Sequence, residues 1–212
     1  MAEAETLVGE MTLLPALAAL TLFALASSIT PGPNNLMLLS SGTRFGFFRT
    51  IPHMLGVTLG FGLMIALVGL GLARIFSAYP VLQTLLKIAS VAYLLVLAWK
   101  IAVSTQPSVD ALEQQGRPMS FLGAAAFQWV NPKAWTMAIT AMSAYILPVG
   151  PLAGPLLVAL VCIIVTIPSV TLWTAIGLHL RRFLEDPAKL RLFNWTAAVL
   201  LILSLYPALI GH

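Results

Sequence analysis

Six runs of mostly apolar residues, at 11–40, 51–77, 81–103, 121–146, 152–178 and 192–210, decide most of what this 212-residue chain can become. Each is close to the length a helix needs to cross a hydrocarbon core of roughly 30 Å. Water is a poor solvent for such a chain, because 59% of its residues are hydrophobic and only 8% are charged. Lipid is expected to take the place of water. Six spans with short loops use up the length, so residues 1–212 are read as one all-α transmembrane domain.

The connections are short except for the polar stretch 104–119, with Pro107, Asp110, Glu113, Arg117 and Pro118, which divides the chain into halves of three helices each, 1–103 and 120–212. Three spans per half means that the second half enters the membrane from the opposite side to the first. Both halves also open on an apolar run interrupted by proline: Thr30-Pro31-Gly32-Pro33-Asn34-Asn35 in one and Asn131-Pro132-Lys133 in the other. The expected architecture is therefore two inverted three-helix repeats with broken first and fourth helices, a plan that recurs in secondary transporters.

Orientation follows from the basic residues. Arg44, Arg49, Lys100, Arg117, Arg181, Arg182, Lys189 and Arg191 flank the first, third and fifth connections, against Arg74 and Lys87 at the second. Short basic loops stay cytoplasmic, so both termini are expected on the periplasmic side. Tyr79, Tyr145 and Tyr206 fall toward the opposite ends, as an interfacial belt requires. Glu3, Glu5 and Glu10 precede the first run where a cleaved signal would carry basic residues, so the first helix is expected to be retained.

Proline and glycine at 31–33 should end one helical segment and start another, leaving backbone groups without helical partners. At membrane depth such groups are tolerated only where they are buried in protein or line a watery cavity. Pro31, Gly32, Pro33, Asn34 and Asn35 are thus candidate substrate-binding residues, with the helix start at Asn34 suited to a carboxylate and the freed carbonyls to an ammonium. A plain helix kink is the simpler alternative. Lys133 lies about twelve residues into the fourth run, roughly 18 Å along a helix. No Asp or Glu falls within any run to neutralise it. Its partner is expected to be a backbone carbonyl, water or a substrate carboxylate, unless the segment is shallow and Lys133 snorkels to the interface. Gln128, Asn131 and Pro132 join Lys133 as the candidates of the second break, Gln128 and Asn131 being spaced to share a helical face.

His53, near the start of the second run, titrates near neutral pH and is with Lys133 a candidate for proton coupling. An interfacial position is the plainer expectation for His53, as for His179. Gly42, Gly46, Gly56 and Gly60 read as close-packing positions between helices. The one cysteine, Cys162, excludes disulfides and thiolate clusters. No cofactor or metal is expected, since the runs lack the carboxylates or clustered histidines of a metal exporter and the chain shows no catalytic constellation. The eleven Lys and Arg residues cap apolar runs rather than gather on one face, which argues against nucleic acid.

The segment Ser28-Ile29-Thr30-Pro31-Gly32-Pro33-Asn34-Asn35, followed by Gly42-Thr43-Arg44-Phe45-Gly46, Pro52-His53, Gly56 and Gly60, resembles the amino-terminal signature of the LysE/RhtB amino-acid exporters. Phe127-Gln128-Trp129-Val130-Asn131-Pro132-Lys133-Ala134 is similar to the family's Asn-Pro-Lys motif, and Gly177, Arg181, Arg182 and Asn194 fit its later pattern. The resemblance implies a multi-pass exporter in the bacterial inner membrane, with an amino acid or derivative as substrate, protons as the driving partner and room for a homo-oligomer. The missing intramembrane carboxylates point to a neutral substrate rather than a dicationic one. A noncatalytic membrane subunit and an intramembrane enzyme are the competing readings.

Overall fold

The computed structural model describes residues 2–104, 117–145, 147 and 149–205, without the side chains of 2–12, 73, 77 and 83. Most of the 104–119 connector, including Pro107, Asp110 and Glu113, lies outside the described residues, as do Tyr206 and the side chains of Glu3, Glu5 and Glu10.

Among the described residues every regular element is helical. The order is α1 (Ala2–Ile29), α2 (Pro33–Phe45), α3 (Phe47–Leu67), a kinked turn (Val68–Leu72), α4 (Ala73–Ala78), α5 (Pro80–Val103), α6 (Phe121–Phe127), a 3-10 turn (Gln128–Val130), α7 (Pro132–Ala144), α8 (Ala153–Leu180), a second 3-10 turn (Phe183–Glu185) and α9 (Pro187–Leu203). Length and apolarity qualify three segments to cross a bilayer unaided: Phe47–Leu72, Pro80–Val103 and Ala153–Leu180. The pair Leu13–Ile29 and Pro33–Phe45, bent by 56°, makes a fourth if counted as one span. The fourth apolar run is split into α6 and α7, each too short alone, and α9 has 17 residues, about 26 Å of helix.

Local chemistry sets the breaks. Pro33 and Pro132 both stand at the first helical position, where the missing N–H is no loss and the fixed φ suits a helix start. Gly32 before Pro33 and Asn131 before Pro132 are both extended, as residues preceding proline favour. Gly46, with φ 81, joins α2 to α3 in a one-residue turn, its N–H bonded to Gly42 O at 3.1 Å. No neighbour lies within 4 Å of a Cβ built at Gly46, so this glycine serves backbone conformation and not close packing.

The other glycines named from the sequence are packing positions. A Cβ at Gly42 would overlap the carbonyl oxygen of Thr174, and one at Gly177 that of Leu39, so α2 crosses α8 backbone to backbone. Thr43 Oγ1 seals the crossing by donating to Leu39 O and Gly177 O, both at 2.9 Å. Gly56 and Gly60 press α3 onto α6 in the same way, against Phe121 O and Ala125. The helices of one half thus pack on those of the other: α2 and α1 on α8, α3 on α6 and α8, α5 on α9.

Two apolar clusters result. One, around Leu38, Leu94, Leu97 and Leu201, joins α2, α5 and α9; the other, around Leu20, Met64, Ala138 and Val158, joins α1, α3, α7 and α8. The outer surface is also apolar, with Leu55, Leu59 and Leu63 of α3 and Leu156, Leu160 and Ile164 of α8 each 45% exposed or more. Leucine rows of that extent on helix backs suit a lipid surrounding better than water.

Candidate functional site

The first break frees the carbonyls at the end of α1, and tertiary contacts account for each of them. Ser28 O accepts from Asn35 Nδ2 and from Ser169 Oγ, both at 2.7 Å. Ile29 O accepts from Trp173 Nε1 at 3.1 Å. Thr30 O accepts from Asn35 Nδ2 at 2.8 Å and from Lys133 Nζ at 2.6 Å. Lys133 Nζ also donates to Thr30 Oγ1 at 2.7 Å and approaches Pro31 O at 3.4 Å.

Lys133 is therefore paired across the molecule with the C-terminal end of α1, where a helix carries partial negative charge and cations are favoured. Of the partners open to it from sequence, backbone carbonyls are the ones found. The ammonium does not extend away from the break. Gly32 makes room for it: a Cβ there would lie 2.8 Å from Lys133 Cδ and 3.1 Å from Nζ.

A second link joins the breaks. Asn34 Nδ2 donates to Gln128 Oε1 at 2.8 Å, and Gln128 Nε2 donates back to Asn34 Oδ1 at 3.2 Å and to Ala124 O at 2.8 Å. Gln128 is fully buried. Asn131, which follows the 3-10 turn in extended backbone, does not join that amide exchange. Asn131 turns onto its own helix instead, its Oδ1 accepting from Lys133 N at 3.1 Å as the cap of α7. Gly32 offers α2 no such side-chain cap.

Beside the two breaks lies a cavity of about 40 Å³, bordered by residues of both apolar clusters and by Asn131 but not by Gln128. Ser28, Asn34, Asn35, Lys133, Thr166 and Ser169 give it a polar side; Val57, Phe61, Ala134, Met137 and Val170 give it an apolar one. A wider recess of about 420 Å³ lies on the other side of Lys133, between α1 and α7, lined by Thr30, Pro31, Pro132, Thr136 and Thr140 among others. Lys133, Ser27 and Met137 border both spaces.

The candidates at 31–35, 128 and 131–133 are thus brought together. Thr30, Ser28, Ser169 and Trp173 complete the site and were missed from sequence. Thr30 carried a weak signal, being the last residue before the Pro-Gly-Pro break. His53 is buried within the protein: it is 1% exposed, with Nδ1 3.4 Å from Ser41 Oγ, and it does not border the cavity. Its Nε2 is the buried side-chain polar atom without a hydrogen-bond partner among the described residues. His179 is exposed, its Nδ1 2.8 Å from Ala175 O. Cys162 is a buried free thiol, and no cluster of metal-ligating side chains occurs among the described residues.

Two facing helix breaks border a small cavity with one polar and one apolar side, and comparison with known proteins decides the family. Residues 25–204 match the family described as LysE type translocator. The chain belongs to that family. Membership makes it a translocator and not an enzyme. Proteins of Escherichia coli K12, Escherichia coli O157:H7 and Shigella sonnei Ss046, each described as a cysteine/O-acetylserine efflux protein, are 38% identical to it over 133 residues. The aligned part covers 62% of this chain and 66% of each relative, just under two thirds of their length. No solved structure matches the translocator significantly.

Proposed function

We propose that the chain exports a small neutral amino acid or close derivative across the bacterial inner membrane, as a secondary transporter driven by protons. The observation that carries this reading is the pairing of the two breaks, Lys133 with Thr30 and Asn34 with Gln128, beside a cavity that has no carboxylate among its described lining residues. A zwitterion needs one cationic and one electronegative pole. Lys133 supplies the first, with the uncapped start of α2 beside it; the carbonyls of Thr30 and Pro31, released as Lys133 turns from them to the substrate carboxylate, supply the second. A dicationic substrate would need a further anionic group that the cavity lacks. The relatives described as cysteine/O-acetylserine efflux proteins, which by that description handle neutral amino acids, favour the same class.

The proposal extends to architecture. Residues 1–103 and 120–212 form two inverted three-helix halves, six spans in all, with both termini periplasmic. The crossed packing favours this: the first helix pair of each half lies on the second helix of the other, α1 and α2 on α8 and α6 on α3, while α5 pairs with its counterpart α9. Rocking of one half against the other would break the Lys133 and Asn34 links in turn and open the cavity to alternate sides. Protons reach the cycle through His53 or Lys133.

The test is counterflow of labelled cysteine, threonine, leucine and lysine in proteoliposomes, with and without an imposed pH gradient. Flux of cysteine or threonine, accelerated by the gradient, with lysine excluded, is the expected result. Lysine flux would overturn the neutral substrate, and no flux from folded protein would favour a noncatalytic subunit.

A further inference from the structure

The apolar side of the cavity is held unequally. Phe61 stands on α3 between two glycines that press the helix onto different neighbours. A Cβ at Gly60 would lie 2.6 Å from Ala125 Cα of α6, and one at Gly62 would overlap the side chain of Ile163 of α8. The backbone at residue 61 is therefore clamped from both sides and cannot withdraw. Phe61 is 5% exposed, buried among the second apolar cluster, and Val57 lies one turn before it on the same face. Met137 opposite is a flexible thioether that borders both the cavity and the outer recess, so it can yield where Phe61 cannot.

We propose that Phe61 is the specificity-determining residue of the site: its ring fixes the length of substrate side chain that the cavity admits. This rests on reading the cavity as the substrate site. The polar side takes the charged end of an amino acid, so its side chain points at Val57 and Phe61. A volume of about 40 Å³ holds roughly three waters, whose share of liquid is about 90 Å³. A three-carbon amino acid fits that space with little adjustment, and a leucine side chain directed at the apolar side would meet the Phe61 ring.

The test compares cysteine and leucine flux within single preparations of wild type, Phe61→Leu and Phe61→Ala in proteoliposomes. A ratio is insensitive to the fraction of folded protein. The leucine-to-cysteine ratio is expected to rise at least about tenfold in Phe61→Ala, the scale on which apolar pockets discriminate a methylene. Phe61→Leu should move it the same way by less, and decides the matter if Phe61→Ala does not fold. An unchanged ratio in a variant that still carries cysteine overturns the role of Phe61 and leaves the substrate reading intact. Absence of cysteine, threonine and leucine flux in folded wild type overturns both.

Discussion

Lys133 Nζ lies 2.6 Å from the carbonyl oxygen of Thr30 and 2.7 Å from its hydroxyl, so an ammonium from the second half closes the end of the first half's broken helix. Bonds to a charged donor are each worth about 1.5–3 kcal/mol. Lys133→Met keeps the stem and removes the charge. Cysteine counterflow is expected to fall at least about tenfold. Thr30→Val, which removes only the hydroxyl, should cost a few fold. Flux equal to wild type in both would exclude this contact from the transport cycle.

Gly32 supplies a separate route to the same contact. Its φ of −174 is open to any residue, so a side chain is excluded there by space and not by backbone strain. In Gly32→Ala the new methyl would sit 2.8 Å from Lys133 Cδ and push the flexible stem aside. The expected outcome is the transport defect of Lys133→Met with a melting temperature within a few degrees of wild type. A variant that transports normally would show that the ammonium can move without consequence.

The Asn34 and Gln128 amides exchange two hydrogen bonds between residues 94 positions apart. Removing one amide leaves the other buried and short of a partner, whereas removing both leaves neither unpaired. Thermal unfolding of Asn34→Ala, Gln128→Ala and the double variant in detergent should give a coupling of about 1 kcal/mol. Strict additivity would mean that the link contributes nothing to stability.

The breaks themselves were legible in the sequence, because proline and glycine act through the local backbone: Pro33 and Pro132 start helices where expected. Their partners were not. The four carbonyls at 28–31 are satisfied by Asn35, Lys133, Ser169 and Trp173, and three of those lie more than a hundred residues away, where no spacing rule reaches. Asn131 was read as a lining residue and does border the cavity, but its Oδ1 also caps α7, a second role open to an asparagine just before a proline. Gly42 and Gly46 looked alike because both follow the break at short intervals. Only the path of α8 against Leu39 and Gly42 separates the packing glycine from the turn glycine. The burial of His53 was not legible, because only the packing of α3 against α2 decides which face of the helix is covered.

That distinction between glycines predicts different penalties. Gly42→Ala and Gly177→Ala drive a methyl into backbone oxygens of the opposite helix, which cannot rotate away, and each is expected to destabilise by about 3 kcal/mol or more. Gly46→Ala meets no neighbour and carries only the strain of φ 81 with ψ 173, a combination that is nearly glycine-only, about 1–3 kcal/mol. Thermal unfolding of the three variants in one detergent checks the order. A Gly46 variant as unstable as the other two would remove the distinction.

His53 separates stability from coupling. Its ring is 1% exposed, its Nδ1 contact to Ser41 is long at 3.4 Å, and its Nε2 has no partner among the described residues. An unmet buried polar atom costs about 1–3 kcal/mol, so the imidazole is a poor structural choice for that position. Leucine has nearly the same bulk and no polar atom to satisfy. His53→Leu is therefore expected to melt at or above the wild-type temperature. If His53 passes the proton, the variant keeps counterflow, which needs no net proton movement, and loses the acceleration by an imposed pH gradient. Acceleration that survives in His53→Leu would take the proton away from this residue and leave it to Lys133, whose Lys133→Met variant would then lose the gradient response along with the flux.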